Sequence, residues 1–409
     1  MFERRTETDG FVCRIAASFN KSLHGTPKPL RFACGLAPVS LVVGLQKMNR
    51  NSQTESIKKT RYVELDILRI VSAFSIVLFH YTFRGFAADN MSILDFPYLG
   101  KIFKYGYLAI YAFFLLSGYV VVYSAQTKNF FEFVYSRIRR LYPSFWVAVL
   151  LTSFFTYQWG GQRYHVYLNQ VLINLTMLNR YISIPSVDGV YWFLFEILKF
   201  YFYISMLILF RLLNKIDMFV FFWLIGVLIA LLVPVGWKIS FFLMPRYAPF
   251  LISGVIFFLI KQNGWKKMYI VTLAFSFVLG FFALVQNTPN MIEHYKSDFS
   301  IVVILFVIVL FYLVLALSVA GWLKLTSRNR IIFLLSASSY PLYLIHQNIG
   351  FIIFNYFGKN FNKYLLLIFT MCFVSILSIL IVKYIEPLIK NRLDAIYRIF
   401  NSPTRKVRL

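Results

Sequence analysis

From Tyr62 almost to the C-terminus, long apolar stretches alternate with short loops rich in Lys, Arg, Gly, Pro and Asn. A bilayer core is about 30 Å thick, so a spanning helix needs roughly 20 mostly apolar residues. On that measure the pattern predicts about ten transmembrane helices, over residues 62–85, 103–125, 141–160, 189–213, 217–236, 246–261, 267–286, 299–320, 331–357 and 364–386. The sixth is short, and residues 164–182 leave room for an extra interfacial or re-entrant helix. Backbone groups inside lipid must be satisfied within the segment, which favours helices. The expected fold class is therefore an all-α polytopic membrane protein, a bundle of about ten transmembrane helices. One transmembrane domain, 62–388, lies between an N-terminal segment, 1–61, and a basic tail, 389–409.

Composition agrees with this picture. Hydrophobic residues make up 59% of the chain and charged residues only 14%, against about 25% charged in soluble domains. The net charge of +26 raises the question of nucleic acid, but the basic residues sit in loops between apolar helices, so no nucleic-acid partner is expected. Their distribution instead orients the bundle. With the N-terminus inside, the inner loops and tail hold 18 Lys and Arg against 10 outside. Positive loops mark the cytoplasmic face, so both termini are expected in the cytoplasm, with a bacterial inner membrane as the setting. Three cysteines, Cys13, Cys34 and Cys372, give neither a disulfide framework nor metal-ligand spacing.

The first 47 residues differ from the rest. Their apolar stretch, Phe32 to Leu45, is too short to span, and no small-residue cleavage site clearly follows it. The polar run beginning at Met48 has the character of an ordinary cytoplasmic start, so the expectation is translation from Met48.

Ionisable groups inside membrane helices are costly and point to function. The first span, RYVELDILRIVSAFSIVLFHYTFRGF, carries Asp66, Arg69 and His80. Arg69 and His80, eleven residues apart, return to nearly the same helical face, about 16 Å apart along the axis. Asp66, three residues before Arg69, is placed to pair with it. The plainer alternative for Asp66 and Arg69 is an interfacial anchor. A neutral imidazole at His80 suits general-base work near physiological pH. This pattern resembles the signature of the acyltransferase-3 family of integral membrane, acyl-CoA-dependent O-acyltransferases: an acidic–Leu–Asp start, an Arg, and a Phe-His eleven residues after it. The resemblance implies that Arg69 and His80 are essential for acyl transfer, with Asp66 beside them.

It extends in family order over roughly residues 61–390. FFLLSGYVVVYS, with Ser117, is followed by the Arg-rich FFEFVYSRIRRLYP, with Arg137, Arg139 and Arg140. The Ser-Gly pair alternatively serves close helix packing, and the Arg cluster alternatively marks a positive-inside loop. Arg suits bidentate phosphate contacts, so Ser117 and the three Arg are candidates for binding coenzyme A. DGVYWFLFEILKFYFY resembles the family's Trp–acidic–Phe-Tyr element through Trp192, Phe200 and Tyr201, with Glu196 one residue early. SSYPLYLIHQ places Tyr340, Tyr343 and His346 at three-residue steps on one face. Trp192, Glu196, Tyr340, Tyr343 and His346 are the candidate substrate-binding residues. KYIEPLIKNR matches the family's terminal Glu-Pro, a structural feature.

No metal constellation, glycine-rich nucleotide loop or nucleophilic Ser motif occurs in the sequence. The resemblance implies acetyl-CoA or another short acyl-CoA as donor, with no metal. The acceptor it implies is a sugar hydroxyl of a cell-surface polysaccharide or its lipid-linked precursor. Transfer is direct, with His80 as base and Arg69 orienting the donor or offsetting negative charge, or passes through an acyl-histidine. A continuous polar tunnel from the Arg cluster to His80 is expected. The rival class is a multispanning transporter or flippase of glycans or lipids; it accounts for the helices but not for the joint occurrence of these motifs.

Overall fold

The computed structural model describes residues 62–325 and 329–401. The expectations for residues 1–61, including the start at Met48, and for the basic residues after position 401 lie outside the described residues.

Every regular element among the described residues is helical, and none is a strand. Helix α1, Val63–Phe79, runs on through a π-helical turn, His80–Arg84, into Gly85–Ala87. There follow α2, Pro97–Phe103; α3, Ala109–Ala125; α4, Phe130–Trp159; and the short α5, Leu168–Asn174. Next come α6, Trp192–Leu209; α7, Ile216–Leu232; α8, Trp237–Leu243; α9, Ala248–Asn263; and α10, Lys267–Tyr295. The chain closes with α11, Ile301–Ala320; α12, Arg330–Phe357; α13, Lys363–Leu380; and α14, Glu386–Asn401.

Seven helical stretches are long and apolar enough to cross a membrane: Pro97–Ala125, Gly189–Leu209, Leu213–Leu232, Trp237–Asn263, Lys267–Tyr295, Ile301–Ala320 and Lys363–Phe400. The expected count of about ten includes three further long helices: α1 with its continuation, α4 and α12. These three carry Arg69 and His80, the Arg cluster, and His346, the polar groups that interrupt their apolar runs.

One large boundary difference is in α4. It begins at Phe130 rather than 141, so the Arg cluster is helical and not a loop. The cause is local and legible: Asn129 and Glu132 form a reciprocal capping box, with Glu132 N–H donating to Asn129 Oδ1 at 3.0 Å and Asn129 N–H donating to Glu132 Oε2 at 3.0 Å. Residues 164–182, read as room for an extra short helix, contain α5 and a 3₁₀ turn at Asn179–Ile182.

Two contacts position the candidate site. Gly118 of α3 crosses Gly254 of α9, where an added Cβ on Gly118 would overlap the Leu251 carbonyl oxygen and one on Gly254 would overlap that of Leu115. Small residues here let two backbones touch, as in other membrane bundles. Helix α1 meets α12 where the Tyr81 hydroxyl donates to the His346 carbonyl at 2.7 Å. The Tyr81 ring fits only because Gly350 has no side chain to fill its space.

Candidate active site

At the end of the bundle where α1 begins, Asp66 is buried. It accepts hydrogen bonds from Ser336 Oγ at 2.6 Å and from Arg69 Nη1 at 3.1 Å. The interfacial-anchor alternative does not describe such a buried carboxylate; it holds Arg69 in a fixed direction. Arg69 lines a cavity of roughly 140 Å³ together with Ser117, Arg137, Arg140, Tyr201, Tyr340 and Tyr343. Arg137 donates to Ser124 Oγ at 2.7 Å and lies over the rings of Phe133 and Tyr201. Three expected arginines thus separate by direction. Arg137 and Arg140 face the cavity, whereas Arg139 turns to α14 and grips Asp394 through two hydrogen bonds at 2.7 and 3.0 Å. The Tyr135 hydroxyl also donates to Asp394, and its ring stacks on Tyr397 at 3.8 Å. These hydrogen bonds, Arg139's first, hold the Asp394 carboxyl down at about 2.

About 16 Å further along α1, His80 meets His346 of α12. Their rings stand edge to face, with His346 Nε2 3.2 Å from His80 Nδ1. The surroundings assign the protons. His346 Nδ1 faces the Tyr343 carbonyl at 2.7 Å and the Leu342 carbonyl at 3.2 Å. A carbonyl only accepts, so His346 Nδ1 carries hydrogen and its Nε2 presents a lone pair. His80 Nδ1 faces the Ile76 carbonyl at 2.8 Å. It therefore also carries hydrogen, directed at that carbonyl and at the His346 lone pair. What remains on His80 is a basic Nε2 on a half-buried side chain, while His346 is fully buried. The arrangement can accept a proton at His80 Nε2 and stabilise the resulting imidazolium through His346.

Three aromatic rings of the cavity wall cluster together, and one of them, Tyr343, lies 5.9 Å from the His346 ring. Phe113, Phe193 and Tyr343 are the lining residues nearest His346 along α3, α6 and α12, and their centroids lie 5.6 to 6.5 Å apart. Tyr343 is fixed by donating to the Val190 carbonyl at 2.7 Å. His80 and His346 are not among the residues that line the cavity.

Two expected substrate residues lie elsewhere. Glu196 pairs with Lys199 at 2.8 Å, and Lys199 also donates to the Phe241 carbonyl. Trp192 packs on Tyr247. Neither lines the cavity. Tyr340 does, with its hydroxyl donating to the Leu141 carbonyl at 3.2 Å. Arg84, one of the ten outer basic residues, stands one turn beyond His80 and donates to Gln347 Oε1 at 3.0 Å. Its four-residue spacing from His80 was the signal. Among the described residues, no group of three or more His, Cys, Asp or Glu could hold a metal ion.

The order of these elements along the chain is decisive when compared with known proteins: a family model described as an acyltransferase domain matches residues 62–384. The chain belongs to the acyltransferase-3 family. It is accordingly a membrane acyltransferase, and all of the residues just described except Asp394, Tyr397 and the rest of α14 fall within the matched region. No curated protein matches the chain, and no solved structure does.

Proposed function

We propose that this acyltransferase moves a short acyl group, acetyl in the simplest case, from an acyl-CoA to a sugar hydroxyl of a cell-surface polysaccharide or its lipid-linked precursor. The observation that carries the reading is the pairing of a basic cavity, lined by Arg69 of α1 and Arg137 and Arg140 of α4, with a histidine dyad about three turns further along α1. The excess of Lys and Arg in the loops on the cavity side supports cytoplasmic termini in a bacterial inner membrane.

Arg137, Arg140 and Arg69 supply the charge that coenzyme A phosphates need. Those phosphates stay at this end, because carrying unpaired charge across an apolar core is too costly. Only the slender pantetheine arm passes inward, along the cavity wall toward Tyr343. Asp66 and Ser117 act here by holding Arg69 and shaping the wall. Tyr340 and Tyr343 line the same wall.

At the dyad, the acceptor hydroxyl oxygen attacks the thioester carbonyl carbon while its proton passes to His80 Nε2. Collapse of the tetrahedral intermediate breaks the C–S bond. The His80 imidazolium returns the proton to the departing thiolate, giving an ester and free coenzyme A with no net redox change. His346 acts through His80, fixing its tautomer and sharing the Nδ1 proton. Arg69 serves donor orientation; it is too far from His80 to offset charge at the reacting carbonyl.

Purified protein in nanodiscs, given acetyl-labelled acetyl-CoA and an acceptor glycan, tests the reading. Label appearing as an alkali-labile ester supports it. Glycan movement driven by an ion gradient, without ester formation, favours transport instead.

A further inference from the structure

The reaction just described develops negative charge on the thioester carbonyl oxygen, next to His80. Arg69 is about 16 Å away along the helix and is tied to Asp66. The nearest cation on the same helix face is Arg84, four residues after His80 and about 6 Å along the axis.

Besides the Tyr81 bond, two side-chain rungs join α1's continuation to α12: His80 to His346 at 3.2 Å, and Arg84 Nη1 to Gln347 Oε1 at 3.0 Å. His346 and Gln347 are consecutive, so both rungs share one register. The segment between His80 and Arg84 is π-helical; such turns inside α-helices occur often at functional sites. The arginine also has unusual company. Besides the neutral amide of Gln347, its polar contacts are Met91 sulfur at 3.4 Å, the Tyr295 hydroxyl, and the half-exposed Asp89 carboxylate at 3.7 Å. The Asp89 carboxylate that pairs with it is 45% exposed, whereas the arginine side chain is only 21% exposed. A guanidinium held largely away from water is costly to keep and is a candidate for function.

The surroundings also keep it still. The Gln347 amide lies over Gly189, where an added Cβ would stand 2.8 Å from Nε2. Gln347 Nε2 donates to Asn348 Oδ1 at 3.4 Å, and Asn348 Nδ2 donates to the Val187 carbonyl at 2.8 Å. The Asn348 N–H donates to the buried carboxylate of Asp188 at 3.0 Å. A cation fixed before the reaction stabilises developing charge without reorganisation, the condition under which such groups contribute most.

We propose that Arg84 is a further catalytic residue, its guanidinium holding the oxyanion that forms on the thioester carbonyl oxygen beside His80. The inference rests on the acyl-transfer reading above. Bond changes are those already given: the carbonyl π electrons move to oxygen as the acceptor oxygen bonds to carbon, Arg84 hydrogen-bonds that oxygen, and the electrons return as the C–S bond breaks. Gln347 is a positioning residue that acts through Arg84.

The test measures steady-state transfer from labelled acetyl-CoA in nanodiscs for the wild type, Arg84→Gln, Arg84→Lys, Arg84→Ala and Gln347→Ala. Arg84→Gln should lower kcat about 100-fold or more, as loss of an oxyanion donor does, with both KM values within about threefold. Added guanidinium ion should restore part of the activity of Arg84→Ala. If Arg84→Gln fails to accumulate, Gln347→Ala and Arg84→Lys decide: a kcat loss at normal abundance in both supports the role, and wild-type kcat in both overturns it. An Arg84→Gln enzyme with wild-type kcat, or one altered only in acceptor KM, overturns the inference and leaves the acyl-transfer reading standing. A wild type that transfers no label overturns both.

Discussion

His346 presents a lone pair to the Nδ1 hydrogen of His80 across 3.2 Å, and its own Nδ1 is committed to the Tyr343 carbonyl. The relationship resembles the way a carboxylate orients the histidine of a hydrolytic triad, with an imidazole in the carboxylate's place. Being uncharged, His346 stabilises the imidazolium less strongly, but it costs far less to bury in a membrane protein. Replacing it with Leu should reduce kcat roughly 10- to 100-fold and leave the KM for acyl-CoA nearly unchanged, because the base loses orientation and not its donor site. A His346→Leu enzyme with altered donor KM and normal kcat would place His346 in binding instead.

The three arginines of α4 should separate experimentally as they separate in space. Arg137→Ala and Arg140→Ala remove cations from the cavity wall, and each should raise the KM for acyl-CoA about tenfold, the scale of one charge-assisted contact. Acceptor KM should not move. A donor KM unchanged in both variants would detach the cavity from coenzyme A.

Arg139→Ala should leave donor KM alone and loosen α14, seen as faster proteolysis within residues 386–401. In the wild type this contact should resist acidification. The Asp394 carboxyl is depressed to about 2 by Arg139 and Tyr135. The stabilisation is therefore present above the ordinary carboxylate value and is lost as pH falls through about 2. Cleavage of the wild-type tail should be constant from pH 5 to 8. A rise in cleavage toward pH 5 would show that another group holds the helix.

Gly118→Val should overlap the Leu251 backbone and separate α3 from α9. Overpacking of this kind costs about 1–3 kcal/mol or more. A thermal-unfolding assay in detergent should show a clearly lower midpoint, whereas Ser117→Ala, one position away and facing the cavity, should unfold as the wild type does. Equal midpoints for Gly118→Val and wild type would remove the close crossing.

Much of this was legible in the sequence, because lipid allows few backbone solutions and charges inside it are rare. The apolar runs located the helices, and spacing alone brought Asp66 to Arg69 and put Arg69 and His80 on one face. What spacing within one helix cannot show is the partner across a helix interface. That His346 meets His80, and not the cavity, depends on the register of α12 against α1, which Tyr81 and Gly350 set. Arg139 was inseparable from Arg137 and Arg140 while the segment read as a loop. Once it is helical, Arg139 sits about 160° around from Arg137 and faces another neighbour. Glu196 was drawn to Lys199 three residues on, a local ion pair the helical spacing permits. Arg84 ends its apolar run, where a basic residue is ordinary, and its partner Gln347 lies across the same helix interface.

The central claim is that His80 Nε2 is the base for acyl transfer from acyl-CoA. The most direct measurement is single-turnover transfer of labelled acetyl from acetyl-CoA to the acceptor glycan, comparing wild type and His80→Ala in nanodiscs at equal, verified protein abundance. The account predicts an alkali-labile labelled ester with wild type and a rate at least about 1,000-fold lower with His80→Ala, near the upper part of what a general base contributes. Equal ester formation by the two proteins would contradict it.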